Sequence, residues 1–191
     1  MNGESGSPLP AGGPFFEDLT VGMIAADAPA LTLTAGHAAV HQAIVGDRLP
    51  LHLNAALGER VVPGGGQLVH PALVWDVAIG QSTVLTQRVI ANLFYRGLLL
   101  RRMPRIGDTL ISTTEVVGLR QSARRVGRPA TGLAALRVRT VDQHERSVLD
   151  FWRCAMLPLQ DPERKTGHDD DFEPIPSELP EDALVEIVSG W

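Results

Sequence analysis

Pro71-Ala72-Leu73-Val74-Trp75-Asp76-Val77-Ala78-Ile79-Gly80 is the stretch on which the fold turns. Proline is accepted at the first position of a helix, where its missing N–H is not needed, so Pro71 marks a start. From Ala72 to Ile79 apolar residues lie on nearly every side, broken only by Asp76. A helix of that pattern is expected to be buried all round rather than amphipathic, and the inside of a sheet is its natural home. Gly64-Gly65-Gly66 provides a flexible approach and Gly80 a natural end.

Downstream the chain reads as long strands. Val89 to Arg101 is the first, followed by a turn at Pro104 and Gly107-Asp108. Thr109 to Leu119 alternates, Arg120 to Arg128 is a polar, arginine-rich loop, and Leu133 to Val141 pairs with Ser147 to Leu157 across Asp142-Gln143-His144-Glu145. Long antiparallel strands after one buried helix give an α+β class. With no internal repeat, one such unit is expected rather than a tandem pair.

Upstream, Thr34 is a good N-cap for a short helix from Ala35 to Val45, and Gly46 a natural stop. This helix delivers the chain to Gly46-Asp47-Arg48-Leu49-Pro50-Leu51-His52-Leu53-Asn54. Pro50 fixes its own φ and biases Leu49 to an extended conformation, so the Asp47 and His52 side chains can be aimed at one point. A carboxylate and an imidazole converging on one water are what reversible hydration of a double bond requires, one taking the proton of water and the pair returning a proton to carbon. On spacing alone a plainer reading stands beside it, a surface turn with Asp47 as turn former and His52 as a half-buried strand residue. His37 and His41 lie on one face of the first helix at metal-ligand spacing, yet no third ligand follows in register. They read as solvated polar positions, and no metal site is expected.

The 191 residues make one domain of ordinary size, expected over 15–160, between a mobile Gly/Ser/Pro-rich arm at 1–14 and an acidic tail at 161–191. Leu184 to Val188 and Trp191 are the apolar exceptions in that tail, able to dock on the body or on a partner. The net charge of −5 hides an asymmetry. From Asp161 onward there are 10 acids and 2 bases, leaving 12 acids and 15 bases in the body. A mildly basic body suits an anionic ligand but lacks the basic patch of a nucleic-acid binder. Lys165 is the one lysine among 17 basic residues, so arginines carry any phosphate contact and Schiff-base chemistry is disfavoured. No membrane segment and no leader are read, which places the protein as soluble and cytoplasmic. The single Cys154 reads as a small buried hydrophobe.

Several ordered motifs go further. Phe16-Glu17-Asp18-Leu19, Val21-Gly22, Thr32-Leu33-Thr34, the Asp47-to-His52 segment, Asn92-Leu93-Phe94-Tyr95-Arg96, Arg105-Ile106-Gly107-Asp108-Thr109-Leu110, Glu115 to Arg120 and Phe151-Trp152-Arg153 together resemble the MaoC-like enoyl-CoA hydratases and dehydratases. They are most similar to the mesaconyl-CoA and methylmalyl-CoA hydratase branch. The resemblance implies a single hot-dog fold, a curved antiparallel sheet wrapped around a central helix. It implies hydration of an enoyl-CoA or dehydration of a 3-hydroxyacyl-CoA, with a CoA thioester as substrate, no cofactor, and Asp47 and His52 as the acid-base pair. It also implies an oxyanion site at the helix near Pro71. There the R-specific hydratases have His-Gly where this chain has His70-Pro71, so the backbone donor shifts to His70 or Ala72. The family's asparagine between Asp and His is replaced by Leu49, and Asp76 occupies a position where some hot-dog enzymes keep an acid. Asn92, Arg96, Arg124, Arg125 and Arg128 are the candidate CoA or substrate contacts. A homodimer, formed edge to edge, is the expected assembly. The alternatives are a hot-dog acyl-CoA thioesterase and a non-catalytic acyl-CoA-binding or partner subunit.

Overall fold

Thr34 caps as its position demands: its hydroxyl accepts the His37 N–H at 3.1 Å, and helix α1 (Ala35–Val45) runs from it to Gly46, whose φ of 75° ends the turn. The computed structural model describes residues 11–189. The expected arm therefore lies largely outside the described residues, as does Trp191. Its last part, however, is fastened, because Arg88 donates to the Gly13 and Ala11 carbonyls.

After Gly46 come two short helices, α2 (Pro50–Leu53) and α3 (Ala55–Val61), then α4 (Pro71–Gln81), the helix read from the sequence. The strands are β1 (Ile24–Ala25), β2 (Leu31–Thr32), β3 (Ala91–Arg96), β4 (Thr109–Gln121), β5 (Thr131–Val141) and β6 (Ser147–Pro158). They form one antiparallel sheet in the order β1-β4-β5-β6-β3, with β2 also on β4. A bulge between Val116 and Gly118 turns both Val116 and Leu119 to the helix side and Val117 to the other. The first predicted strand is shorter than expected. Another bulge interrupts it between Asn92 and Phe94, and beyond Arg96 the chain meets the sheet again at a single bridge, Leu100 opposite Leu149, where the Arg101 N–H donates to the Val148 carbonyl.

Helix α4 lies on the inner face. Leu73, Val74 and Ala78 are buried against Leu110, Val138 and Phe151, burial worth about 1.5–3 kcal/mol for each of the larger side chains. The expectation that α4 is enclosed on every side is not met. Trp75, Val77 and Ile79 are only partly covered and the Asp76 side chain is 59% exposed, because one sheet curls around one side of a helix and leaves the other open. Nor does Gly80 end it. Exposed and meeting no neighbouring atom, Gly80 costs helix stability without blocking propagation, and the chain continues into a 3₁₀ turn at Ser82–Leu85. Arg153, 1% exposed on the inner face, donates to the Ser82 carbonyl and the Thr86 hydroxyl and so closes that end of the core.

The tail is laid on the body. After β6 the chain crosses back over the outer face of the sheet. Asp170 accepts the Leu119 N–H at 2.8 Å and donates its own to the Leu119 carbonyl. The Gln121 side chain holds Thr166. Phe172, 5% exposed, packs on Ala135 and Cys154 against Gly118, where an added Cβ would stand 3.0 Å from the ring. Helix α5 (Glu181–Ser189) follows, with its apolar Leu184 and Ile187 half-buried. Among the described residues no helix is long and apolar enough to cross a membrane.

Candidate active site

Asp47 leaves α1 in an Asx turn, its Oδ1 accepting the Leu49 N–H at 2.8 Å. That turn aims the chain into Pro50, the first residue of α2. His52 thus stands on a helical turn, not on a strand, half-buried and on the same side as Asp47. The third member comes from the opening of α4. His70 is its N-cap: Nδ1 of the ring accepts the Ala72 N–H at 3.1 Å. The bond fixes the tautomer. With Nδ1 an acceptor, the proton of the neutral ring is on Nε2, and Nε2 stands 3.4 Å from Asp47 Oδ1.

The His52 and His70 ring centroids are 5.4 Å apart, and neither nitrogen of His52 has a hydrogen-bond partner among the described residues. Burial pushes the His52 pKa below the ordinary histidine value; Asp47 pulls the other way, and His70 adds to the lowering. Burial thus favours the uncharged form of the ring. On the far side of His70 lies His41, 9% exposed, with ring centroids 5.2 Å apart and its Nε2 3.4 Å from Asp76 Oδ2. His41 is not the solvated residue expected. His37 is, its ring serving only the reciprocal cap at Thr34. Asp76 is an exposed carboxylate rather than a buried one. No group of three or more metal-ligating side chains occurs among the described residues.

Asp47 and His52 thus lie in one cluster, but the acid's near contact is the ring of His70, a residue considered above only for its backbone N–H. The signal was a histidine directly before a helix-opening proline, a place where a side chain must supply the cap. Of the two backbone donors expected there, Ala72 is spent on that ring, which leaves His70.

The arginines divide. Arg96 turns to the outer face and donates to the Phe172 and Ile175 carbonyls at 3.0 and 2.8 Å, so it holds the tail. Asn92 is exposed on the edge strand opposite Ala155. Arg124 makes a two-pronged ion pair with Glu163, both exposed. Arg125 and Arg128 line a cavity of about 340 Å³ with Ile90 and Met156. This cavity sits at the hairpin joining β4 and β5, whereas Val69, next to His70, packs on Val138 and Val148 toward the opposite end. The 11 residues of β5 span about 30 Å, so within one chain that loop is far from Asp47, His52 and His70.

No family model matches the chain. A β-methylmalyl-CoA dehydratase of Chloroflexus aurantiacus is 30% identical over 155 residues, covering 78% of this chain and 42% of the relative. A conserved Mycobacterium tuberculosis protein described as having a double hot-dog fold superposes with a TM-score of 0.85 at 53% identity, over 90% of this chain and 52% of that one. A MaoC-domain dehydratase from Chloroflexus aurantiacus superposes with a TM-score of 0.77 at 27% identity, over 92% and 48%. The chain thus spans about half the length of these relatives. Sequence identity and superposition agree in placing this chain in the MaoC-like, hot-dog-fold family.

Proposed function

We propose that the chain adds water reversibly to an enoyl-CoA thioester, equivalently dehydrating a 3-hydroxyacyl-CoA. The observation that carries this reading is the convergence of Asp47, His52 and His70 at the N-terminus of α4. One of Asp47 and His52 takes a proton from water as its oxygen bonds to the β-carbon, and a proton is delivered from the pair to the α-carbon. Negative charge gathers on the thioester oxygen in between, and the positive end of α4 with the His70 N–H is the place to meet it. His70 orients the Asp47 carboxylate through Nε2. The reaction adds and removes water only, so it calls on no redox cofactor. The names of the relatives, two of them dehydratases, support this class of chemistry.

The open face of α4 and the edge strand β3, with Ile90, Leu93 and Tyr95 exposed, favour assembly with a second hot-dog unit, here a second copy of the chain. The test of function is loss of the conjugated enoyl-thioester absorbance. Asp47→Asn and His52→Ala should each slow it by at least about a hundredfold while folding is kept. Bleaching without free thiol is hydration; thiol release would make the protein a thioesterase; neither would leave a binding subunit.

A further inference from the structure

A cavity of about 490 Å³ opens beside the segment that carries His52. Leu51, its neighbour on α2, forms one wall, and Leu68, two residues before His70, another; Met103 adds to the apolar lining. Three guanidinium groups, Arg102, Arg105 and Arg146, complete it. They come from two segments, the stretch before β4 and the turn between β5 and β6, brought together at the same end of the sheet as the acid-base cluster.

The charges in this cavity do not cancel. Asp142, its side chain 1% exposed, takes Arg146 Nε at 2.8 Å and Arg102 Nη1 at 3.2 Å, one carboxylate for two cations. The same carboxylate accepts the His144 and Arg146 N–H groups, so it is fully engaged as a fixed support. Arg105 has no carboxylate within ion-pair distance among the described residues; the Pro63 and Gly64 carbonyls hold it instead. Glu59, on nearby α3, is turned to the Gly66 N–H. Arg102 Nε is buried with no acceptor. Carbonyls and one acid thus set three guanidinium groups around an apolar space and leave an excess of positive charge. The complement of such a space is an anionic oxygen group on a carbon stem, since guanidinium forks match carboxylate and phosphate oxygens.

We infer that this cavity, and not the arginine loop at 120–128, receives the anionic end of the substrate, with Arg105 as the residue that sets specificity. The inference rests on the thioester reading above and extends it. Two parts of an acyl-CoA carry the required chemistry, a distal carboxylate on the acyl group and the nucleotide phosphates. Position favours the first. The cavity shares a wall with the catalytic turn, and a distal acyl carboxylate lies only a few bonds from the reacting carbons, whereas the whole pantetheine arm separates the phosphates from them.

The test measures binding, so it does not depend on turnover. Four saturated thioesters are titrated by calorimetry: an acyl group with or without a distal carboxylate, on CoA or on pantetheine. The parental protein should prefer the carboxylate-bearing acyl group on both carriers, and Arg105→Ala should reduce that preference about tenfold. Arg105→Gln keeps the stem and a donor for the Pro63 and Gly64 carbonyls, and it should do the same with an unchanged melting curve. If the substitutions instead reduce the preference for CoA over pantetheine, the cavity takes phosphate and the acyl assignment is overturned. If neither ratio moves in a folded variant, the cavity is not an anion site. Failure of the hydratase reading would show separately, as no loss of enoyl absorbance in a protein that still discriminates among the four ligands.

Discussion

His70 Nε2 faces Asp47 Oδ1 at 3.4 Å because the other nitrogen of the same ring caps α4. One side chain therefore caps the start of a helix and stands beside an acid, and the two contacts are separable. Asparagine is also a good N-cap, so His70→Asn should keep stability within about 1 kcal/mol while losing the Asp47 contact. His70→Ala loses both. We expect kcat in His70→Asn to fall at least about tenfold, read beside the denaturant midpoint. A variant with parental kcat would remove His70 from the site.

The pH dependence follows from His52. Its folded pKa lies below the ordinary value of 6.5 because burial disfavours the charged ring. In the window between the folded value and 6.5 the unfolded chain binds more protons, so the contribution of His52 to stability is lost as pH falls through it. Activity that needs the neutral ring should likewise have its acid-side midpoint below pH 6.5. The free-enzyme titration appears in the pH profile of kcat/KM. Since Asp47 raises the His52 pKa, Asp47→Asn should move the His52 titration, followed by NMR, further toward acid. A shift toward base would contradict the arrangement.

At Asp142 the sign is opposite in origin and similar in effect. Burial alone would raise its pKa, but the His144 and Arg146 N–H donors, the Arg146 side chain and Arg102 outweigh it and hold the carboxyl below its ordinary 3.8. Its stabilisation is present above that value and lost as pH falls through the folded pKa. Asp142→Asn should cost about 2 kcal/mol at neutral pH, less than a fully buried pair because Arg146 is half-exposed. Chemical denaturation at pH 7 and near pH 3 is the check. The deficit should shrink at the lower pH, and a deficit that stays constant would mean the charge is not what matters.

The tail gives a stability prediction with a chemical readout. Phe172→Ala should destabilise by about 3 kcal/mol, and deletion of 162–191 by more, with kcat within about threefold in both if the tail only covers the outer face. Cys154, beneath Phe172 and 1% exposed, has its thiol pushed up to about 11 by burial. Labelling by a thiol reagent should be slow in the parent and fast in the truncated chain. Equally slow labelling would show that the tail does not cover the cysteine.

Local chemistry made much of this molecule legible from its residues. Thr34, Gly46 and Pro71 mark helix ends through capping and fixed dihedrals, and the alternation of β4 to β6 gives the strands within a few residues. That Asp47 and His52 fall on one side of one turn was legible for the same reason; the roles proposed for them rest on the reading above. His70 was not, because the role of its ring depends on which nitrogen the helix occupies. Arg102, Arg105 and Arg146 were not either, since only the meeting of β2, β4 and β6 at one end of the sheet gathers them. The docking of 166–172 was not legible from composition, because it is decided by single residues, Asp170 finding a backbone N–H and Phe172 an apolar seat beside a glycine.

Arg96 ties these long-range effects to assembly. It sits on β3, the margin of the sheet, and grips two carbonyls of a segment that is itself laced to β4 on the other side of β5 and β6. The strap therefore works like a guy-line, bracing the free border against the middle of the sheet. The border at which the proposed second copy would be received is thus braced by residues 76 and 79 positions later in the chain. On the proposed assembly, changes at 172–175 should alter how a second copy is received and leave Asp47, His52 and His70 in place.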